Sequence, residues 1–334
     1  MRQPGVWSAA SRICGLDEDR LKAFYSDHFV LPLPASHRFP MAKYRRLRDC
    51  VQGELVEVKL HEPAAATDAE LALAHDLLYV AAVSEGRLSA DEVRAIGFPW
   101  SPAMAERARR SVGATIGACR AAWSEGIAAN LAGGTHHSQR ARGAGYCVFN
   151  DVATAARCLQ LQVSGKDRPL QVAIVDLDVH QGDGTAQITA GDDSIFTLSL
   201  HGEKNFPARK ERSDLDVGLP DGTGDEHYLA ALEAAFAELR QRFAPDFIIY
   251  LAGADVHEDD RLGRLALSAQ GMAARDQRVF DFAEELDVPV AVVMGGGYGR
   301  EIETTVALHL QTIRMASQSW ARRRERELPT RSAA

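Results

Sequence analysis

The sequence predicts one α/β domain, with a mostly parallel central sheet covered by helices on both faces. Three observations predict it. Near-continuous apolar runs recur along the 334 residues, amphipathic stretches separate them, and no internal repeat or linker divides the chain. Apolar strands alternating with amphipathic helices form a parallel sheet buried on both faces. A single α/β domain can exceed the usual span of roughly 100–200 residues.

The elements follow in order. Residues 1–20 read as a polar leader, 21–320 as the domain and 321–334 (ARRRERELPTRSAA) as a charged tail. Structure begins near Lys22, and Leu55 to Leu60 reads as a short strand ended by Pro63. Ser101 is a good N-cap with Pro102 at the first helical position. Met104, Ala108, Val112, Ile116, Cys119 and Trp123 then recur every three or four residues, the apolar face of a helix. Further helices are expected over Asp151–Gln162, Glu226–Phe243, Ser268–Leu286 and Glu301–Trp320. Strands are expected over Leu170–Leu177, Ile195–Leu200, Phe247–Leu251 and Val288–Met294.

Composition removes several classes of function. No apolar run reaches the roughly 20 residues of a membrane span, and the first 20 residues lack the apolar core of a secretory signal. With 38 basic against 46 acidic residues the net charge is −8, which argues against a surface built for nucleic acid. Cys14, Cys50, Cys119, Cys147 and Cys158 are scattered and form no CxxC pair. Neither a disulfide framework nor a thiolate zinc site is expected, and a reducing cytoplasm fits. A metal here would be held by oxygen and imidazole.

In open α/β sheets ligands bind beyond the carboxyl ends of the strands. DVHQGDG follows IVDL, HGEKNFP follows FTLSL, AGADVHEDDRLGR follows FIIYL, and GGGYG follows VAVVM. In an extended segment Asp176, Asp178 and His180 share one face, with Leu177 and Val179 opposite. Two carboxylates and an imidazole suit a divalent first-row metal; a salt-bridged loop is the plainer alternative. Asp255 could add a third ligand and leave a position open for water, or could be a helix cap. His136 and His137 follow Gly133 and Gly134, whose backbone freedom could turn both rings into one cavity. Such rings need orienting carboxylates, for which Asp176 and Asp183 stand ready; an exposed loop is the alternative. Gly295–Gly299 lacks the GxGxxG and GK[ST] patterns of nucleotide loops. Tyr298 within it could donate to a developing oxyanion, or mark a tight turn before the last helix.

The chain resembles the zinc-dependent histone deacetylases of the arginase–deacetylase fold, and most closely their class IV-like bacterial members. The matching segments are HRFPMAKY (37–44), GGTHHSQRARGAGYCVFND (133–151), VDLDVHQGDGT (175–185), SLHGEKNFP (199–207), LAGADVHEDDRLGRLALS (251–268) and MGGGYG (294–299). They span about residues 22–310 in family order. Met294 stands where some members carry another glycine.

The resemblance implies a sheet of about eight strands and one zinc ion held by Asp178, His180 and Asp255. It implies His136 and His137 as the catalytic pair, with Asp176 and Asp183 as their respective carboxylates, and Tyr298 as the oxyanion donor. It implies Tyr146 and Phe206 as walls of an acyl-lysine tunnel, Leu262 as its lining and Gly145 as a backbone contact. A structural potassium is implied at Asp176, Asp178, His180, Ser199 and Leu200. The activity implied is hydrolysis of acylated amines, with an acyl-lysine protein or peptide as substrate, or alternatively a small acylated amine such as a polyamine. A catalytically silent acyl-lysine-binding protein is the non-enzyme alternative, and a two-metal arginase-like hydrolase a third. The basic clusters Lys43, Arg45, Arg46, Arg48 and Arg322, Arg323, Arg324, Arg326 read as solvated faces. His201, His257 and Cys147 receive no role.

Overall fold

In a computed structural model of the chain, residues 20–327 are described, apart from 32, 35, 36 and 164–167. The leader expected at 1–20, beyond Arg20, and the end of the tail after Glu327 lie outside the described residues. The chain begins with β1 (Leu21–Phe24), α1 (Ala42–Glu54), β2 (Val58–His61), α2 (Asp68–Leu71), α3 (Leu77–Glu85), α4 (Ala90–Ile96) and α5 (Pro102–Glu125). It continues with β3 (Ile127–Asn130), α6 (Asp151–Val163), β4 (Val172–Asp176), α7 (Asp183–Thr189), β5 (Ile195–Gly202) and β6 (Leu215–Leu219). It closes with α8 (Asp225–Arg242), β7 (Phe247–Ala252), α9 (Ala269–Leu286), β8 (Val290–Met294) and α10 (Ile302–Glu327).

The strands form one 8-stranded sheet in the order β2-β1-β3-β8-β7-β4-β5-β6. Every strand pair runs parallel. Successive side chains of a strand point to opposite faces. Ala173 and Val175 accordingly join the apolar layer beneath α8, α9 and α10, while Val172 and Ile174 join the layer beneath α5 and α6. The same split divides Ile248 and Tyr250 from Phe247, Ile249 and Leu251. Both faces are therefore buried, as the unbroken apolar runs require.

Local chemistry sets the helix starts. Ser101 Oγ accepts from the Met104 N–H at 3.1 Å, with Pro102 opening α5. Met104, Val112, Ile116 and Cys119 are buried on its inner face, with Ala108 and Trp123 packed at the margin. Ser268 caps α9 in the same way, through the Gly271 N–H.

Three expectations need correction. Residues 55–60 are not one strand: α1 runs to Glu54, the Leu55 N–H bonds back to Val51, and only Val58–His61 pairs with β1. Leu55 and Val58 are both buried, so apolarity there marked a helix end as well as a strand. The helix expected to stop at Trp320 continues to Glu327, so the charged tail is helical at its start. There Arg323 donates to the Val288 carbonyl and Arg326 pairs with Glu284 on α9. Finally, Lys43 is not on a solvated face: it is 2% exposed and its ammonium lies against the carbonyls of Gly295 and Gly297.

Ile249→Ala, at the fully buried centre of β7, is expected to cost about 2–5 kcal/mol in denaturant unfolding. Leu161→Ala, on the exposed side of α6 (Leu161 is 74% exposed), should change stability by less than about 0.5 kcal/mol. Equal losses at the two positions would contradict this layering.

Candidate active site

β4 ends at Asp176, and the chain bends through Asp178–His180 before α7 begins at Asp183. Leu177 and Val179 enter the core, which turns Asp176, Asp178 and His180 together to the other side. Asp255 lies just past the end of the neighbouring β7. Backbone N–H groups fix these carboxylates. Asp178 Oδ1 accepts from the His180 N–H at 2.9 Å and Oδ2 from the Gly296 N–H at 2.6 Å. Asp255 Oδ1 accepts from the Val179 N–H at 3.0 Å.

His180 Nδ1 lies 3.0 Å from Asp178 Oδ1 and 3.2 Å from Asp255 Oδ2. Donor atoms of Asp178, His180 and Asp255 all fall within 4.8 Å of one another. Asp255 Oδ2 is buried and accepts no hydrogen bond, although it lies near the imidazole. Glycine makes room for this crowding. A Cβ at Gly296 would lie 1.7 Å from Asp255 Oδ2, one at Gly295 2.7 Å from Asp178 Oδ2, and one at Gly253 2.8 Å from Asp255 Oδ1. Burial pushes Asp255 up to about 7, with the Asp178 charge adding to it and His180 opposing. For His180 burial works downward, yet Asp178 and Asp255 together hold it up at about 10. The two buried carboxylates thus demand a positive charge between them, which a divalent cation on the same atoms supplies more fully than a proton. The residues fit a metal.

The histidine pair sits on the loop before α6. Gly133 and Gly134 take positive φ of 88° and 66°. Asp151 grips the loop by accepting from the Gly134 N–H and from both N–H and Oγ of Thr135, at 3.0, 2.8 and 2.8 Å. His136 Nδ1 bonds Asp176 Oδ2 at 2.6 Å, and His137 Nδ1 bonds Asp183 Oδ1 at 2.6 Å. With Nδ1 donating to a carboxylate, Nε2 is the nitrogen left for chemistry. The rings lie 4.2 Å apart. Burial works against a charge on His136, but Asp176 and Asp178 raise it to about 9. Burial and the His136 charge lower His137 to about 4. Without a metal, the surroundings thus push the two rings apart, His136 upward and His137 downward.

Tyr298 lines the same cavity as His136, His137, Asp178 and His180. Its N–H donates to Asp260 Oδ2 at 2.6 Å, while Asp260 Oδ1 accepts from the Leu262 and Gly263 N–H groups. Tyr146 also lines the cavity and holds φ at 67°, unusual for a side-chain-bearing residue. A Cβ on Gly145 would strike His137 Cδ2 at 2.6 Å. Phe206 is 47% exposed and meets the His137 ring edge-on at 4.8 Å; neither it nor Leu262 is among the residues that line the cavity. Leu262 lies on a loop held by Asn205 Nδ2, which donates to its carbonyl at 2.8 Å. Ser199 pairs in register with Asp176 and precedes Leu200 in β5.

Sequence reasoning missed several residues that build this site. Phe39, Tyr44, Phe98 and Arg107 line the cavity, and only the HRFPMAKY match hinted at the first two. Asp151 and Asp260 hold the histidine loop and the tyrosine by backbone bonds, and both could pass for helix or turn caps.

The fold and site define a class: a parallel-sheet α/β protein with a buried oxygen-and-imidazole group able to hold a metal, beside two carboxylate-backed histidines. Comparison with known proteins agrees. The Histone deacetylase domain matches residues 37–313. An uncharacterized protein of Picosynechococcus is 41% identical over 287 residues, covering 85% of this chain and 94% of its own length. Histone deacetylase 2 of Arabidopsis thaliana is 29% identical over 290 residues, covering 83% of this chain and 73% of its own. The crystal structure of an HDAC homolog from Aquifex aeolicus superposes with a TM-score of 0.75 at 22% identity, over 90% of this chain and 84% of that one. The chain belongs to the histone deacetylase family, and deacetylase relatives mark it as a hydrolase. No helix among the described residues is long and apolar enough to cross a membrane.

Two outcomes follow from this geometry. Gly296→Ala should displace the Asp255 carboxylate, and a shift of about 1 Å costs on the order of 100-fold in turnover; kinetics on folded protein, verified by circular dichroism, check it. In the metal-free protein, ring ¹⁵N NMR should find His136 titrating near 9 and His137 near 4. His136 then contributes stability below its unfolded value of 6.5 and loses it as pH rises through about 9. His137 contributes above 6.5 and loses it as pH falls through about 4. A reversed titration order would contradict the charge assignment.

Proposed function

We propose that the chain is a zinc-dependent deacylase that hydrolyses acyl-lysine in proteins or peptides. One observation carries the reading: two imidazoles, each bonded to its own carboxylate at 2.6 Å, share a cavity with the Asp178–His180 part of the ligand set and with Tyr298. Asp178, His180 and Asp255 would hold the zinc. Bound there, zinc would acidify a water and polarise the scissile carbonyl.

The chain's own residues do the rest. Neutral His137 takes the proton of the attacking water at Nε2 and returns it to the leaving amine, a transfer worth roughly 10²–10⁴-fold. Asp183 holds the ring in the accepting tautomer. His136, bonded to Asp176, orients the water beside the buried carboxylates. Tyr298 donates its hydroxyl to the oxyanion. Tyr146 and Phe206 flank a slim aliphatic stem, with Gly145 giving close backbone approach and Leu262 lining the outer side. A structural potassium at Asp176, Asp178, His180, Ser199 and Leu200 accompanies the reading, as does a reducing cytoplasm, which suits the free Cys50, Cys119, Cys147 and Cys158. The presence of both histidines, their carboxylates, Tyr298 and three candidate metal ligands favours an enzyme over a silent acyl-lysine binder.

Purified protein should hold one zinc per chain and release acid from acyl-lysine peptides. Tyr298→Phe should lower kcat by about 10²–10³-fold with zinc content unchanged. His180→Ala should lose both zinc and turnover; full activity in that variant would exclude the metal assignment. Assayed beside longer acyl-lysines, acetylpolyamines hydrolysed in preference would move the substrate to small acylated amines.

A further inference from the structure

Behind the ligand set, on the side away from the cavity, lies a fully buried cation. Arg275 on α9 is 0% exposed. Its Nη1 donates to the Gly253 carbonyl at 2.6 Å and reaches the Leu177 carbonyl at 3.4 Å. Nε and Nη2 both donate to Asp276 Oδ1, at 2.9 and 2.8 Å. Asp276 is fixed in turn by the Tyr250 hydroxyl at 2.5 Å and the Thr312 hydroxyl at 2.6 Å.

The two carbonyls are not arbitrary. Leu177 immediately precedes Asp178, and Gly253 stands two residues before Asp255. The ladder between β4 and β7 pairs Asp176 with Leu251, and the Leu177 N–H bonds the Leu251 carbonyl. Beyond that rung the two segments are joined by Arg275 and by the Val179 N–H on Asp255 Oδ1. Each carbonyl that Arg275 holds belongs to a peptide plane whose other side is also pinned. The Asp178 N–H bonds Asp176 Oδ1 at 3.1 Å, and the Ala254 N–H bonds the Gly296 carbonyl at 2.9 Å. A buried ion pair is a poor device for stability alone, because desolvation offsets its attraction. A planar guanidinium can, however, satisfy a carboxylate along one edge and carbonyls along another, which an ammonium cannot.

We propose that Arg275 is a positioning residue for the metal site, a clamp that sets the spacing of the Asp178 and Asp255 carboxylates from behind. The proposal rests on the zinc reading of those residues. It concerns ligand preorganisation, and partners of this kind typically contribute 10–100-fold to metal affinity.

The test measures zinc affinity of the metal-free protein by competition with a chromophoric chelator, alongside thermal melting. Arg275→Lys keeps the charge and loses the fork. It should remain folded and bind zinc about 10–100-fold more weakly. Arg275→Gln, which loses the charge and keeps one donor, should fall in the same range. Thr312→Val removes a bond to Asp276 and leaves both carbonyl contacts intact, so it should lower the melting temperature with zinc affinity unchanged. Wild-type affinity in folded Arg275→Lys would overturn the clamp alone. Affinity that falls in step with melting temperature across all three variants would overturn it too, reducing Arg275 to a packing role. Wild-type protein that takes up no zinc would overturn the metal reading and the clamp with it.

Discussion

The site is governed by the need to neutralise carboxylates that water cannot reach. Asp176, Asp178 and Asp255 are each no more than 3% exposed, and they crowd the ends of two neighbouring strands. Every surrounding choice of residue answers that crowding. Backbone N–H groups point at the oxygens, the His136 and His180 rings lie beside them, and one oxygen of Asp255 is left without a hydrogen bond. Glycines 253, 295 and 296 remove the side chains that would occupy the same volume. The set is carried by a sheet packed on both faces.

The same constraint explains the division of the histidine pair. The rings are chemically identical and adjacent in sequence, yet each faces a different electrostatic neighbourhood. His136 lies against Asp176 and within 3.9 Å of Asp178, while His137 has Asp183 and the charge of its neighbour. A general base must be unprotonated at working pH, and in the metal-free protein these surroundings push His137 down and His136 up.

Much of this was legible in the amino-acid order because strand alternation is strict. Leu177 and Val179 reach the core, so the residues between and beside them had to face the other way. The pairing of each histidine with its carboxylate was legible only through the family resemblance, since residues 40 and 46 positions apart give no local signal. β1 and β3 were missed because four-residue strands such as LKAF and IAAN are too short to show a period. β6 was missed for another reason: its LDVGL stretch is half exposed and carries no apolar run. Asp151, Asp260 and Arg275 act by holding main-chain atoms of other segments, and such roles leave no trace in spacing. Lys43 was misplaced because a charge within a basic cluster looks solvated until the fold buries it.

Asp260 has a consequence for how such a site can change. One carboxylate ties the Tyr298 backbone with one oxygen and the Leu262–Gly263 turn with the other. On the deacylase reading, the lip that would meet the incoming chain and the hydroxyl that would meet the reacting carbonyl hang from a single hinge pin. A substitution that reshapes the lip for a different guest would then also tilt the hydroxyl, so selectivity and speed would change together.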